Sequence, residues 1–546
     1  MIRTALWDQA NPRKTAVIEA GQQRRISYEA LIGRANVLGE ILRGKPGKNL
    51  GIFLPNGGDF IAALFGIFML GKTACPMNCR MTRYELVPIL KQAQVTVVIS
   101  SRIFSPLFEE IQSEELSDLQ LVFLEEWDLP GDGHFAKEGP PFDSLTAGSL
   151  PAFLKEKELF DSLKEKKKIK EKEKTKVNAK KSSTPLLLLN TSGSVAAPAI
   201  VALSERNIET AVLGYLDKMS FAAQGSKEAR YLLASPFSSA YGLMILFACL
   251  IKSFPVIVME EPFTLSGFYR AAERYQGTHY EGSASVLLMM AQTAHRPIPY
   301  EISGFRYFGF GGSKISEKVL KAVSEAFPWI RFWQGYGMTE AAPLITKNTG
   351  RHGEKPGSVG TAIRGVEIAI DGTEGPTTQA FVQGEILVKG PNVMRGYYRN
   401  EEQTKSVLRE GWLYTGDIGY LDEARCLYLC GRKKSLVIVG GMNVYPEEVE
   451  TCLMDSGLLR DCRVYGERDG QGEERLCAEL VPLDARTGKK EILAYCRRHL
   501  SDYKQPRSIR MVPEIQKTTG GKTLRRGAVP HRAVGEGEAE DGTGPC

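Results

Sequence analysis

The chain has no long hydrophobic run. Its longest apolar stretches, Phe60–Leu70 and Leu243–Ile251, stop well short of the roughly 18 apolar residues that a spanning helix needs, so no transmembrane segment is expected. The opening segment, MIRTALWDQANPRKTAVIEAG, lacks an apolar signal core, and a cytoplasmic location is the expectation. Disulfide-scaffold spacing is also missing. The ten cysteines include two pairs four residues apart, Cys75/Cys79 and Cys426/Cys430. Neither pair is a CxxC, and no histidine lies close to either, so buried free thiols in a reducing compartment are expected rather than a metal site. A basic face is absent too. Between Lys155 and Lys181 twelve lysines stand against six acidic residues, which accounts for the whole net charge of +6. The remainder is near neutral, which argues against a nucleic-acid partner and makes the lysine run a solvated surface insert. No internal repeat is evident.

What is present is a long chain with alternating structure. At 546 residues and 43% hydrophobic content it exceeds one ordinary domain. RRISYEALIGRANVLGEIL has helical spacing behind Ser27 as N-cap, and NLGIFLP reads as a short buried strand. DFIAALFGIFMLG reads as an apolar helix and VTVVIS as a β-branched strand. This alternation predicts a layered α/β fold with a largely parallel sheet. The pattern breaks between about Glu114 and Ser183 and resumes with a buried strand at Thr184–Leu189. Beyond Gly431 a compact βαβ-like stretch predicts a second, smaller domain. The expected division is a large domain over 1–431, with the insert at about 150–183, a small domain over 432–526, and a disordered tail over 527–546.

Four segments carry chemistry. Asn190–Pro198 (NTSGSVAAP) follows a Leu-rich strand, and its hydroxyls and backbone N–H groups can cradle phosphate oxygens. Strand–Ser/Gly turns are common, so alone it is a weak signal. Gln334–Glu340 (QGYGMTE) follows the strand-like IRFWQ. Its aromatic can stack on a purine, its threonine can bond a phosphate, and its glutamate suits Mg²⁺, which prefers hard oxygen ligands. Spacing alone favours a glycine-rich turn at a helix start. In Gly411–Glu450, Tyr414-Thr415-Gly416-Asp417 reads as a tight turn holding an acceptor-only carboxylate that can grip ribose hydroxyls. The basic turn Gly431–Ser435 (GRKKS) adds a donor for the same sugar or a phosphate, and the flexible pair Gly440-Gly441 precedes a helix start. Lys517–Arg525 (KTTGGKTLR) sets Lys522 in a glycine turn, where a lysine near a C-terminus is otherwise an ordinary surface charge.

Together these segments resemble the adenylate-forming superfamily, in its acyl-CoA synthetase type, over about residues 5–526 apart from the insert. YGMTE matches the superfamily's YGxTE without departure, and QKTTGGKTLR resembles PKTxxGKxxR with Gln516 for proline. The phosphate loop, usually TSGTTGxPKG, departs at Ala196, Ala199 and Ile200, and the downstream Thr-His pair is Ser204-Glu205. PFSSAYG at 236–242 resembles PLFHxxG with Ser239 in the histidine's place, and GFGGS at 309–313 resembles the acid-pocket loop. His279 reads as a packing or pocket histidine rather than a base.

The resemblance implies a large multi-subdomain N-terminal α/β domain with a small mobile C-terminal α+β domain. It implies ATP, Mg²⁺ and coenzyme A, and a small-molecule carboxylic acid as the partner that is activated. The phosphate loop is then Thr191, Ser192, Gly193 and Ser194. Tyr336 lies on adenine, Thr339 contacts the α-phosphate and Glu340 holds magnesium. Asp417 and Arg432 hold the ribose, and Lys434 is the hinge. Gly440 and Gly441 line the pantetheine path, and Lys522 is the catalytic lysine. Two alternatives stay open. One is loading of a separate acyl-carrier protein. The other is an impaired adenylate-binding homologue, motivated by the altered loop. A monomer or homodimer is expected, and the acid leans to medium or long fatty or aryl types.

Overall fold

The computed structural model describes residues 1–9, 11–127, 184–191, 198–220, 229–259, 262–294, 296–312, 315, 317–349, 355–439, 442–468, 474–484 and 487–516. The lysine-rich insert and the C-terminal tail lie outside these residues.

Two large sheets dominate. The first has seven strands, in spatial order Gly396–Tyr397, Ile200–Leu203, Leu187–Asn190, Thr73–Pro76, Asn49–Phe53, Val95–Ser100 and Gln120–Phe123. It is parallel from Leu187–Asn190 onward and antiparallel at the other edge. The second has nine strands, from Thr361–Ala362 through Leu344–Lys347, Arg331–Gly337, Tyr307–Gly311, His279–Ser283, Tyr231–Leu233, Val256–Val258 and Thr15–Glu19 to Arg24–Ser27. Its six central strands are parallel and both edges are antiparallel. The largest apolar cluster joins Leu50 and Ile52 of the first sheet to Val17 and Tyr231 of the second. Helices Tyr28–Arg43, Gly58–Met69, Glu205–Ser220 and Ala240–Lys252 contribute to the same cluster, so they are the filling between the sheets.

Local chemistry explains these elements. Ser27 caps the first helix by accepting from Ala30 N at 3.1 Å, a bond whose loss costs about 1 kcal/mol. That helix crosses Gly58–Met69 closely because Gly66 leaves room, since a Cβ there would sit 3.1 Å from Ala35 O. The predicted helix over Asp59–Gly71, the strands over Asn49–Pro55 and Val95–Ser100, and the Ser27 cap all stand, with small shifts at the ends.

A third, antiparallel sheet includes Glu367–Gly372, Gly384–Lys389, Trp412–Leu421 and Leu427–Arg432. Beyond it lies a small α+β unit. It consists of a hairpin over Val437–Val439 and Met442–Val444 and a sheet of Leu459–Arg468, Glu474–Pro482 and Ser508–Met511. Helices Pro446–Asp455 and Lys489–His499 cover it, and it has its own core of Val449, Leu453, Val464, Leu480 and Ile492. The final strand–helix–strand is the βαβ-like feature foreseen, because Glu474–Pro482 and Ser508–Met511 run parallel.

Two segments differ from expectation. Tyr414–Asp417 is not a free turn but a bulge within strand Trp412–Leu421. Leu387 faces Tyr414 and Glu385 faces Ile418, so Thr415, Gly416 and Asp417 lie opposite the single residue Ile386. Gly416 absorbs the extra length at φ +73°, where a Cβ would be strained. The glycines of QGYG likewise belong to a strand, Arg331–Gly337, and only Thr339–Ala341 form a single 3-10 turn. The strand is held by its ladder to Leu344–Lys347, a pairing that single-sequence periodicity does not reveal.

Candidate active site

Tyr336 sits near the carboxyl end of a central strand, where a crevice beyond parallel strands commonly takes ligands. Just after it the chain reverses tightly, and a Cβ on Gly337 would lie 1.8 Å from Pro343 O. That reversal sets Thr339 and Glu340 on the 3-10 turn beside Tyr336. Tyr336 is buried, and its hydroxyl donates to Asp417 Oδ2 at 2.8 Å. Burial first, and the Asp417 carboxylate second, push this phenol well above its usual range, so it stays a donor.

Asp417 is fixed from three sides. Its backbone N–H donates to Thr415 Oγ1 at 3.1 Å, and Thr415 Oγ1 donates to Ile386 O at 2.8 Å. Arg432 lies directly opposite across the strand pair, with Nε 3.0 Å from Asp417 Oδ1. The arginine side chain is 57% exposed, so the ion pair itself adds at most about 1 kcal/mol. Its consequence is placement, because a buried acceptor carboxylate and an exposed five-donor guanidinium are held side by side.

Glu385, which the sequence reading did not single out, ties the two motifs together. Its Oε1 accepts from Gly416 N at 2.9 Å and its Oε2 from Lys433 Nζ at 2.7 Å. Lys433 is therefore the anchored lysine of the GRKKS turn, whereas Lys434 is exposed on the 3-10 turn Lys433–Ser435.

Glu340 is also buried, and its Oε1 accepts from the Tyr397 hydroxyl at 2.9 Å. Burial and the Glu340 carboxylate push the Tyr397 phenol up. Tyr397 pairs with Val201, so this bond connects the magnesium candidate to the strand that returns from the phosphate loop. No signal in the sequence marks Tyr397, since the contact arises only when the Gly396–Tyr397 strand joins the first sheet. Among the described residues no group of three or more His, Cys, Asp or Glu could hold a metal by itself. One hard carboxylate fits a magnesium ion that takes its other ligands from phosphates and water.

At the base of the expected phosphate loop, Thr191 N donates to Ala199 O at 3.0 Å. Ile200 pairs with Asn190 and is fully buried, so its departure from glycine is absorbed into the apolar core. Ser204 exchanges capping bonds with Asn207, and Glu205 pairs with the Met1 amino group at 3.1 Å. Ser239 caps helix Ala240–Lys252 by accepting from Gly242 N. Ser192, Gly193, Ser194, Gly440, Gly441 and Lys522 lie outside the described residues. The structure thus brings Tyr336, Asp417 and Arg432 together, and Thr339 and Glu340 follow Tyr336 closely in the chain.

Comparison with known proteins adds the following. Residues 5–398 match the family described as AMP-binding enzyme, and residues 448–522 match the AMP-binding enzyme C-terminal domain. A long-chain-fatty-acid–CoA ligase of Bacillus subtilis (strain 168) is 28% identical over 532 residues, covering 94% of this chain and 91% of that protein. A feruloyl-CoA synthase of Amycolatopsis sp is 27% identical, covering 94% of this chain and 95% of that protein. The fold is similar to that of o-succinylbenzoate CoA synthetase from Bacillus subtilis in complex with its acyl-adenylate intermediate. There the TM-score is 0.76 and the identity 23%, over 96% of this chain and 97% of that one.

Proposed function

On the premise that the chain belongs to the AMP-binding enzyme family, which the match over residues 5–398 establishes, we propose that it is an ATP-dependent acid–CoA ligase. The observation that carries the reading is Asp417 held between the Tyr336 hydroxyl and Arg432. Such an arrangement presents acceptors and donors together, as a ribose requires. The CoA-ligase names of relatives that align along most of the chain support it.

In this reading a carboxylic acid attacks the α-phosphorus of ATP, giving an acyl-adenylate and pyrophosphate. The protein acts by positioning and charge stabilisation. Asp417 and Arg432 orient the sugar, Tyr336 lies along the base, and the Thr339 hydroxyl bonds the α-phosphate. Thr191, Ser192, Gly193 and Ser194 cradle the outer phosphates. Glu340, oriented by Tyr397, would hold magnesium, which neutralises phosphate charge when bound. Lys522 stabilises the charge that builds between carboxylate and phosphate. The small unit then turns about Lys434, Lys522 withdraws, and Gly440-Gly441 approach to line the thiol's path. The thiol of coenzyme A attacks the acyl carbon and AMP leaves. Division near residues 431–432, a cytoplasmic location and a monomeric or dimeric state belong to the same proposal. So does an acid of fatty or aryl type.

Incubation with ATP, magnesium, an acid panel and either coenzyme A or a phosphopantetheinylated carrier protein tests it. Pyrophosphate release with acyl-CoA in the mass spectrum is the expected result. A thioester on the carrier alone would replace the acceptor. ATP binding without pyrophosphate release for any acid would overturn the ligase and leave an adenylate-binding protein.

A further inference from the structure

Asp417, Arg432, Lys433, Glu385 and Gly416 close a ring. Arg432 Nε lies 3.0 Å from Asp417 Oδ1, and the next residue, Lys433, donates to Glu385 Oε2 at 2.7 Å. Glu385 Oε1 accepts from Gly416 N at 2.9 Å, and Gly416 precedes Asp417 in the chain. The Glu385 side chain is 7% exposed and that of Lys433 60%. An ion pair with one partner this exposed adds little to stability. Its place in the chain is the more telling property.

The ladder between Trp412–Leu421 and Leu427–Arg432 ends at the pair of Asp417 and Arg432. The next strand, Val437–Val439, pairs with Met442–Val444 inside the small unit. Lys433 is therefore the first residue past the ladder, and Lys434, the proposed hinge, follows it on the same 3-10 turn. The small unit also bears on the other side of Arg432. A Cβ on Gly431 would lie 2.8 Å from Tyr445 Cβ and 2.9 Å from Glu447 Oε2, where helix Pro446–Asp455 begins. In the proposed cycle the small unit turns, and that turn loads Arg432 from both sides: through the chain after it and through the contact before it. Glu385 stands on a firm support. Its strand, Gly384–Lys389, is laddered on one side to Glu367–Gly372 and on the other to Trp412–Leu421.

We propose that Glu385 is a positioning residue that pins Lys433, the last fixed residue before the hinge, so that Arg432 stays on Asp417 and the acyl-adenylate is retained while the small unit turns. The inference rests on the ligase reading and adds to it the device that keeps the two half-reactions joined. A hinge that began at Arg432 would draw the guanidinium off the sugar whenever the unit moved. With Lys433 tied to Glu385, the rotation is confined to bonds beyond the Lys433 Cα. The other oxygen of the same carboxylate holds the bulge that carries Asp417, so one buried side chain sets both members of the proposed ribose pair. An adenylate that escapes before the thiol arrives is attacked by water at its acyl carbon. The bond from that carbon to the phosphate oxygen breaks, giving the free acid and AMP. Escape is therefore measurable as ATP consumed without thioester.

The test compares the full-length wild type with Lys433→Met, Lys433→Arg and Glu385→Gln. Each receives ATP, magnesium and whichever of dodecanoate, octanoate, benzoate and 3-phenylpropanoate gives the wild type its fastest pyrophosphate release. Two quantities are read: pyrophosphate released without coenzyme A beyond the first equivalent per enzyme, and acyl-CoA formed per pyrophosphate when coenzyme A is present. The wild type should stop near one equivalent and couple the two products closely. Lys433→Met should raise the uncoupled release about fivefold, the size expected for loss of one partly exposed ion pair, and lower the coupling ratio. Lys433→Arg should restore both. Glu385→Gln, whose amide oxygen still accepts from Gly416 N, should leak as Lys433→Met does. Unchanged retention in Lys433→Met overturns the inference and leaves the ligase standing. A fall in both products with an unchanged ratio does the same, because that is a structural effect alone. So does leakage in Lys433→Arg equal to that in Lys433→Met, or a wild type that already releases pyrophosphate freely without coenzyme A. If Glu385→Gln does not fold, the two exposed Lys433 variants decide. No release by the wild type with any acid, while ATP still binds, overturns the ligase reading and this inference with it.

Discussion

Tyr336 and Asp417 are 81 residues apart in the chain, yet the hydroxyl of one donates to the carboxylate of the other over 2.8 Å. The contact joins the end of a parallel strand to a bulge in a different sheet. In the proposed nucleotide site, this contact places the base-side aromatic and the sugar-side carboxylate as one unit. Asp417→Ala is expected to weaken ATP binding by about 100-fold, and Tyr336→Phe by about tenfold, from loss of a hydrogen bond to a charged group worth roughly 1.5–3 kcal/mol. Calorimetry with ATP reads both. Unaltered affinity in Asp417→Ala would remove this residue from the nucleotide site.

The Tyr397 hydroxyl on Glu340 makes a separable prediction. Tyr397→Phe leaves the carboxylate in place without its orienting donor. The magnesium concentration for half-maximal activity should rise severalfold, while ATP binding in the presence of a chelator stays the same. A magnesium dependence like that of the wild type would reduce Tyr397 to a packing residue.

Lys522→Ala is expected to lower acid-dependent pyrophosphate exchange by at least 100-fold, with an unchanged melting temperature. Exchange at the wild-type rate in this variant would reject its assignment.

Gly309→Ala tests how tightly the buried pair of Glu281 and Lys347, 2.7 Å apart, is built in. The added Cβ would meet Glu281 Oε2 at 2.0 Å, and the pair has no empty side to move into, since Lys347, Tyr215 and Tyr241 surround the carboxylate. Breaking a buried pair costs about 3–5 kcal/mol, and urea melts should show a loss of that order. A loss below about 1 kcal/mol would mean that the cluster rearranges easily.

His279 sets a pH dependence of stability. Burial, with the Lys347 charge second, lowers its pKa to about 3. Between that value and the unfolded value of about 6.5, the unfolded state binds a proton that the folded state does not. Stability is therefore complete above about pH 6.5 and falls as the pH drops below it, by up to about 1.4 kcal/mol per unit from this group. His279→Phe keeps a ring between Tyr231 and Tyr307 and should flatten the slope between pH 6 and pH 4, measured by urea melts. An identical slope would assign the acid sensitivity to other groups.

The ladder of βα units was legible because each element carried its own signal. The stretch 60–68 is apolar all round since it is buried all round, and Ser27 advertised a helix start that the structure keeps. Tyr336, Glu340, Asp417 and Arg432 were legible as a constellation because their local motifs are short and ordered. Glu385, Tyr397 and Lys433 were not. Each acts through a partner at least 31 residues away, and neither periodicity nor turn chemistry reports such contacts. The shape of Tyr414–Asp417 was misjudged for the same reason, since its bulge exists only against Ile386.

By itself, then, the sequence determined the succession of helices and strands, the two-part organisation and the order of the proposed nucleotide motifs. These follow from hydrophobic period, caps and glycine placement, which act within a few residues. Tertiary structure alone decided which polar groups meet. A parallel strand pair set Glu281 beside Gly309, an antiparallel edge strand brought Lys347 to the same carboxylate, and a cross-sheet contact set Asp417 on Tyr336. The physical reason is burial: polar side chains withdrawn from water must find partners, and only the assembled sheets determine which partners lie within reach.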